Sequence, residues 1–422
     1  GIEGGIETSP LPRSATEKMT NEQWINAIYK FQEKDFNSGS AFELSRELER
    51  IIKLNPERFI DFIYLLEPQK TNVYYYEAIL RGLTSLTGFF EAKEKIVKYC
   101  FGLSKEAFSY GIIDVIDSII NESDVLSQDL IDILIWLATK HSSPDKQLND
   151  NFDFDAINCT RGRAVRLIGE ILNKKINYLE KFDSAIKSAI GDILPVKASC
   201  AFLLFGIYNN NREYALNILK SLVESNPECL CSNYIQDFIR KTRSDDNFEY
   251  YKRLFSEIDT ENGEIKAFIG QYFCNFALFN KDAILFAEKY VKNADFEYRR
   301  GCAKLFSAAI LEENFIENEF VKKNLFLLID DENDTVAETA IDFIDKSKAP
   351  QKLLKQSDIL KKVLDSRCFL KSRDSLLYNL KSENITSDES ELLRLIILKY
   401  IEKTELDVSS TENRLYINSG DL

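Results

Sequence analysis

Apolar residues recur along most of this chain in steps of three and four. Trp24, Ile28 and Phe31 keep that rhythm, and Val165, Ile168, Leu172, Ile176 and Leu179 repeat it, which puts each set on one face of an α-helix. From Asn21 onward the pattern is helical nearly everywhere, and no stretch reads convincingly as a strand. The breaks fall at Asn37 to Ser40, Asn55-Pro56, Pro68, Ser143-Pro144, Asn209 to Asn211, Asn226-Pro227, Asn262-Gly263 and Pro350. These residues cap helices, turn the chain or lack an amide hydrogen. The segments between them predict about twenty helices joined by short loops, an all-α protein.

A longer period emerges from the polar residues that open helices. Asp155, Asp192, Asn226, Asn262, Asp295 and Asp331 stand 37, 34, 36, 33 and 36 residues apart. Stacked two-helix repeats require such spacing, because each hairpin buries its apolar face only against its neighbours. The fold expected is an α-solenoid of HEAT-like helical hairpins, with TPR-like or irregular hairpins as the alternative. Small residues follow the markers: Gly162 and Ala164 after Asp155, Ala303 after Asp295, and Ala337 and Ala340 after Asp331. Asp155, Arg161, Gly162 and Ala164 are therefore expected to stack neighbouring hairpins, with Asp155 pairing to Arg161 and Arg163 pointing away from the stack. Four segments follow: a flexible lead over 1–19, an N-terminal helical cap over 20–150, HEAT-like repeats over 151–405, and a polar tail over 406–422.

Composition agrees with long helices, since the 16 glycines and 8 prolines are few for 422 residues and an all-β chain needs many tight turns. The 54 lysines and arginines against 68 aspartates and glutamates leave a net charge of −14. That field opposes phosphate backbones and anionic lipid surfaces, so nucleic-acid and membrane partners are not expected. The longest apolar runs, such as Cys200 to Tyr208 and Ile133 to Ala138, fall far short of the ~18 residues that cross a bilayer. The start lacks a secretory signal pattern, so a cytoplasmic location is expected. It also lacks Met, and the chain is expected to be an excised or processed part of a longer protein.

Candidate chemistry is sparse. The eight cysteines contain no CxxC pair and read as small buried hydrophobes. His141, the only histidine, follows an apolar helix in WLATKHSSPD, where a basic group complements the helix dipole. A nucleophilic triad would have to use it, and no GxSxG elbow accompanies it. The Ser184 to Lys187 SxxK spacing has no companion motif. Neither a GxxxxGK[ST] loop nor a GxGxxG after a strand occurs, so no nucleotide site is expected. The acidic run from Asp150 to Asp155 lacks the central glycine and terminal glutamate of a calcium loop, and Asp330, Asp331, Glu332 and Asp334 suit a helix start. No cofactor, metal or small-molecule substrate is expected. Three residues remain as candidate partner contacts: Arg163 beside Gly162, and Tyr74 and Tyr75, which precede the core-facing Tyr76 and are expected to be partly exposed.

Four segments in order, MTNEQWINAIYKF (Met19 to Phe31), GSAFELSRELERIIKLNPERF (Gly39 to Phe59), NVYYYEAILRGL (Asn72 to Leu83) and AINCTRGRAV (Ala156 to Val165), resemble the C-terminal helical region of large bacterial STAND NTPases, including antiviral defence ATPases. The resemblance covers roughly Met19 to Leu204 and fades beyond. It implies a helical-repeat sensor that binds a foreign protein, with the NTPase and effector in separate upstream domains. The function expected is therefore a noncatalytic protein-recognition module, with a structural scaffold or assembly adaptor as the alternative.

Overall fold

The computed structural model describes residues 9–32, 40–123, 125–146, 151–346, 357–369, 390 and 394–402. Residues 1–8 of the lead, the break at Asn37 to Gly39, Asp150, Pro350 and the tail over 406–422 lie outside the described residues. All regular structure among the described residues is helical, and helices pack against their chain neighbours as in an α-solenoid. The chain forms two compact units, Gly1–Lys241 and Thr242–Leu422.

The first unit contains α1 (Arg13–Thr16), α2 (Asn21–Lys30), α3 (Ala41–Leu54), α4 (Val73–Leu83), α5 (Phe90–Leu103), α6 (Ser109–Glu122), α7 (Gln128–Thr139), α8 (Phe152–Asn158), α9 (Thr160–Lys174), α10 (Leu179–Ile190), α11 (Leu194–Tyr208), α12 (Arg212–Ser225) and α13 (Asn233–Lys241). One ladder runs α3, α4, α6, α9, α11, α13, each helix packing on the next, and a second runs α5, α7, α10, α12 behind it. Hairpins on both sides of residue 150 share the front ladder, since α6 packs on α9. The lead is anchored from Pro12 onward. Thr16 is buried, Arg13 pairs with Glu47 and Glu17 with Arg50 on α3.

Many of the helices start where a side chain satisfies their first free amides. Thr20 and Gln23 form a capping box on α2, while Ser40, Asn72, Ser127 and Asn211 cap α3, α4, α7 and α12. Along the front ladder, neighbouring backbones touch at glycine. A Cβ placed on Gly169 of α9 would lie 2.4 Å from the Phe202 carbonyl of α11, and one on Gly206 only 2.1 Å from the Gly169 oxygen. Gly162 is equally tight, 2.1 Å from the Ala156 oxygen, and both it and Ala164 are buried. Gly169 and Gly206 thus set the distance between α9 and α11, while Gly162 lets α9 lie against α8.

The second unit contains α14 (Asp245–Ser256), α15 (Gly263–Ala277), α16 (Ile284–Val291), α17 (Phe296–Ala309), α18 (Glu319–Ile329), α19 (Asp334–Ile341), α20 (Phe343–Lys346) and α21 (Ser357–Asp365). Here α15, α17 and α19 form the ladder. Asn262 and Asp295 cap α15 and α17, while Asp192 and Asp331 sit just ahead of α11 and α19.

The periodic acids have a role that their spacing alone did not reveal. Arg161 meets Asp192 at 2.9 Å, Lys266 meets Asp295 at 2.9 Å and Arg299 meets Asp331 at 2.7 Å. Each pair joins a cation in one repeat to the marker acid of the following repeat. The expected Asp155–Arg161 pair is thus corrected. Asp155 lies buried inside α8, and the Arg161 guanidinium spends its donors on Asp192 and on the carbonyls of His141 and Pro144.

Candidate functional site

A helix in the middle of a two-layer stack is covered on three sides, and its fourth side normally carries polar residues. The ladder helix α11 departs from this. It packs against α9 and α13 within the ladder and against α10 and α12 behind. Between Pro195 and Ile207 its side chains are buried except for Phe202 and Phe205, and these two, with Tyr208, are half-buried. Residues three apart fall on one stripe of a helix, so the open side of α11 is an aromatic stripe.

Neighbouring helices extend it. Tyr234 of α13 lies 5.3 Å from Phe202 between ring centroids, and Phe238 sits 5.1 Å from Phe205 and 5.6 Å from Tyr208. A cation borders each long edge: the Arg166 guanidinium of α9 is 5.1 Å from the Phe202 ring, and the Lys241 ammonium of α13 is 5.1 Å from the Phe205 ring. Arg166 also bonds Glu170 at 2.9 Å, one turn along its own helix.

Beside this stripe, a cleft of about 280 Å3 opens between α6 and α9, lined by Asp114, Asp117, Arg163, Arg166, Leu167 and Glu170. Burial pushes the Asp114 and Asp117 carboxyls up from their ordinary range, and Arg163 pulls Asp114 back. Arg163 does not point away from the stack as expected. Its guanidinium reaches back onto α6, 2.5 Å from Asp114 and 4.6 Å from the Tyr110 ring centroid. Earlier in the ladder, Tyr74 is exposed and meets the Phe42 ring edge-on at 5.5 Å. Tyr75 is a further correction. It is fully buried and its hydroxyl donates to the Phe31 carbonyl, because position 75 points α4 toward α2, whereas position 74 points outward. Tyr74 and Arg163 lie on α4 and α9, with α6 packed against both helices.

Between those positions one carboxylate ties two ladder helices together. No side chain of its own caps α6, and Glu77 of α4 takes over that task, accepting from the Gly111 amide at 2.7 Å. Burial pushes its carboxyl from 4.5 up to about 7, with Arg81 opposing. A carboxyl whose folded pKa is raised contributes stability that is present below its ordinary value and lost as pH rises through about 7. Glu77→Gln keeps an acceptor and cannot ionise. Its melting temperature should therefore gain on the native chain as pH rises from about 5 to about 8; a constant difference across that window contradicts the assignment.

The other candidates are absorbed by structure. His141 sits beyond α7, where its Nδ1 accepts from the Ser143 amide at 2.9 Å and its Nε2 lies 3.1 Å from the Glu106 carbonyl oxygen. The ring therefore orders the following turn instead of capping α7. Asp153 is buried and accepts from Ser232 and Asn233. Lys187 pairs with Asp183 at 2.6 Å. Among the described residues no cysteine is joined in a disulfide; all are buried but the half-buried Cys231, and burial pushes Cys159 up to about 11. Among the described residues no group of His, Cys, Asp and Glu is placed to hold a metal ion, and no helix is long and apolar enough to cross a membrane.

Comparison with protein-family models, curated proteins and solved structures finds no match to this chain. Sequence reasoning had missed Phe202, Phe205, Tyr208, Tyr234, Arg166 and Lys241. The signal in the sequence is the run Cys200 to Tyr208, nine residues without a charged position, which leaves every face of the helix apolar, the open one included.

Proposed function

We propose that this chain is a noncatalytic protein-recognition module whose partner binds on the front ladder of the first unit, centred on α11. The observation that supports this most is the aromatic stripe Phe202, Phe205 and Tyr208, presented on a helix clamped by its neighbours. Aromatic residues, phenylalanine included, and arginine are enriched in protein–protein interfaces relative to the rest of the surface. The glycine contacts that fix α9 to α11 hold these rings in place before binding, which lowers the ordering cost of association. Tyr74 with Phe42 and Tyr110 with Arg163 supply further aromatic contacts along the same ladder.

The resemblance of Met19 to Phe31, Gly39 to Phe59, Asn72 to Leu83 and Ala156 to Val165 to the sensor region of STAND NTPases fits this reading. In it the partner is a foreign protein, such as a phage component, and binding shifts a larger molecule from a closed to an assembled state. The sensor reading expects a P-loop domain encoded upstream in the same gene. A gene without one favours the scaffold reading.

Phe205→Asp tests the face itself. It places a charge where a partner's apolar side chain would be desolvated, and is expected to weaken partner binding at least about 100-fold. Circular dichroism should show helix content unchanged. Binding that survives in a folded Phe205→Asp chain contradicts the placement.

A further inference from the structure

The charges around the stripe narrow the kind of partner it takes. The chain carries a net −14, yet each long edge of the Phe202, Phe205 and Tyr208 stripe is bordered by a cation stacked on one of its rings. Lys241 makes no ion pair with any described residue, and its ammonium is committed only to the Phe205 face. Arg166 is held by Glu170 alone, in a pair whose side chains are 48% and 39% exposed. Such exposed pairs contribute little and exchange readily for another carboxylate. Both cations therefore have donors to offer outward, across an apolar strip about 9 Å long at the rise of an α-helix.

Resting on the reading of this face as the recognition surface, we infer that its partner is an acidic amphipathic segment of another protein, apolar side chains seated on Phe202, Phe205 and Tyr208 and carboxylates meeting Arg166 and Lys241. Cations over aromatic faces keep their attraction for an anion while the rings remove apolar side chains from water. A nucleic-acid strand stacks on aromatics too. Its phosphates, however, would pass the cleft beside the stripe, where Asp114, Asp117 and Glu170 outnumber Arg163 and Arg166, in a chain of net −14, a field that opposes a continuous polyanion more than one or two carboxylates placed at the edges.

The test is a selection of random twelve-residue peptides displayed on phage, run against the intact 422-residue chain, against Phe205→Asp, and against an Arg166→Glu/Lys241→Glu double variant. Both charge-reversed positions are exposed, so that variant should fold, as circular dichroism would verify. Peptides enriched on the native chain should combine leucine, isoleucine or phenylalanine with aspartate or glutamate. They should lose about tenfold or more in affinity on the double variant, weaken as salt is raised, and fail on Phe205→Asp. Enriched peptides that lack acidic residues, or that bind the double variant equally well, overturn the acidic chemistry, while loss on Phe205→Asp alone would keep the face. If no peptide prefers the native chain over Phe205→Asp, both the face and its chemistry fall. Binding of a twelve-nucleotide single strand at about 150 mM salt, abolished by the double variant, would overturn the inference in favour of nucleic acid.

Discussion

Gly169→Ala is expected to destabilise the first unit by about 3 kcal/mol, at the upper end of overpacking penalties. The added methyl has nowhere to go. It would stand 2.4 Å from the backbone carbonyl of Phe202, and a backbone, unlike a flexible side chain, cannot swing aside. The helices α9 and α11 must separate, opening the closest contact of the ladder and tilting the aromatic stripe that α11 carries. Gly206→Ala attacks the same contact from the other side, so the double variant should cost less than the sum of the two. Scanning calorimetry is the measurement; a melting transition of the first unit unchanged by either substitution contradicts the account of how the ladder is spaced.

Arg161→Ala is expected to cost about 3 to 5 kcal/mol, the range for breaking a shielded ion pair. Both side chains of the Arg161–Asp192 pair are only 13% exposed. The guanidinium bonds both Asp192 oxygens, at 2.9 and 3.0 Å, and the carbonyls of His141 and Pro144, each at 2.6 Å. Truncation leaves a carboxylate and two carbonyls without these donors in a place that water reaches poorly. Arg161→Lys keeps the charge but lacks the planar fork, and should recover less than half of the loss. Urea unfolding followed by circular dichroism reads both. A neutral Arg161→Ala would mean that the rung is solvated and that repeat spacing rests on packing alone.

The repeat could be read from the chain because its markers do local work. Asn262 and Asp295 cap helices, and capping leaves a signature in the sequence within a few residues. The partner of Arg161 lies 31 residues away, in the next repeat, so spacing within one motif pointed wrongly to Asp155. Tyr75 misled for a similar reason. Helical period says which residues share a face, but not that Phe31, at the end of α2, accepts from the hydroxyl of Tyr75. The stripe on α11 was hidden because an apolar helix in a stack is expected to be buried, and only coordinates show which side its neighbours leave open. The glycine contacts were partly visible, since Gly162 and Ala164 stood out as small residues at a helix start, while Gly169 and Gly206 lie further along their helices and needed the facing backbone to explain them.

The central claim, that the front ladder of the first unit around α11 is the recognition surface, is tested most directly by hydrogen exchange on the whole chain with and without the tightest peptide from the display selection. The account predicts slowed exchange in α9, α11 and α13, with none in the second unit. Protection confined instead to the 610 Å3 cleft lined by Tyr64, Phe89 and Lys95, with α11 unchanged, would contradict it.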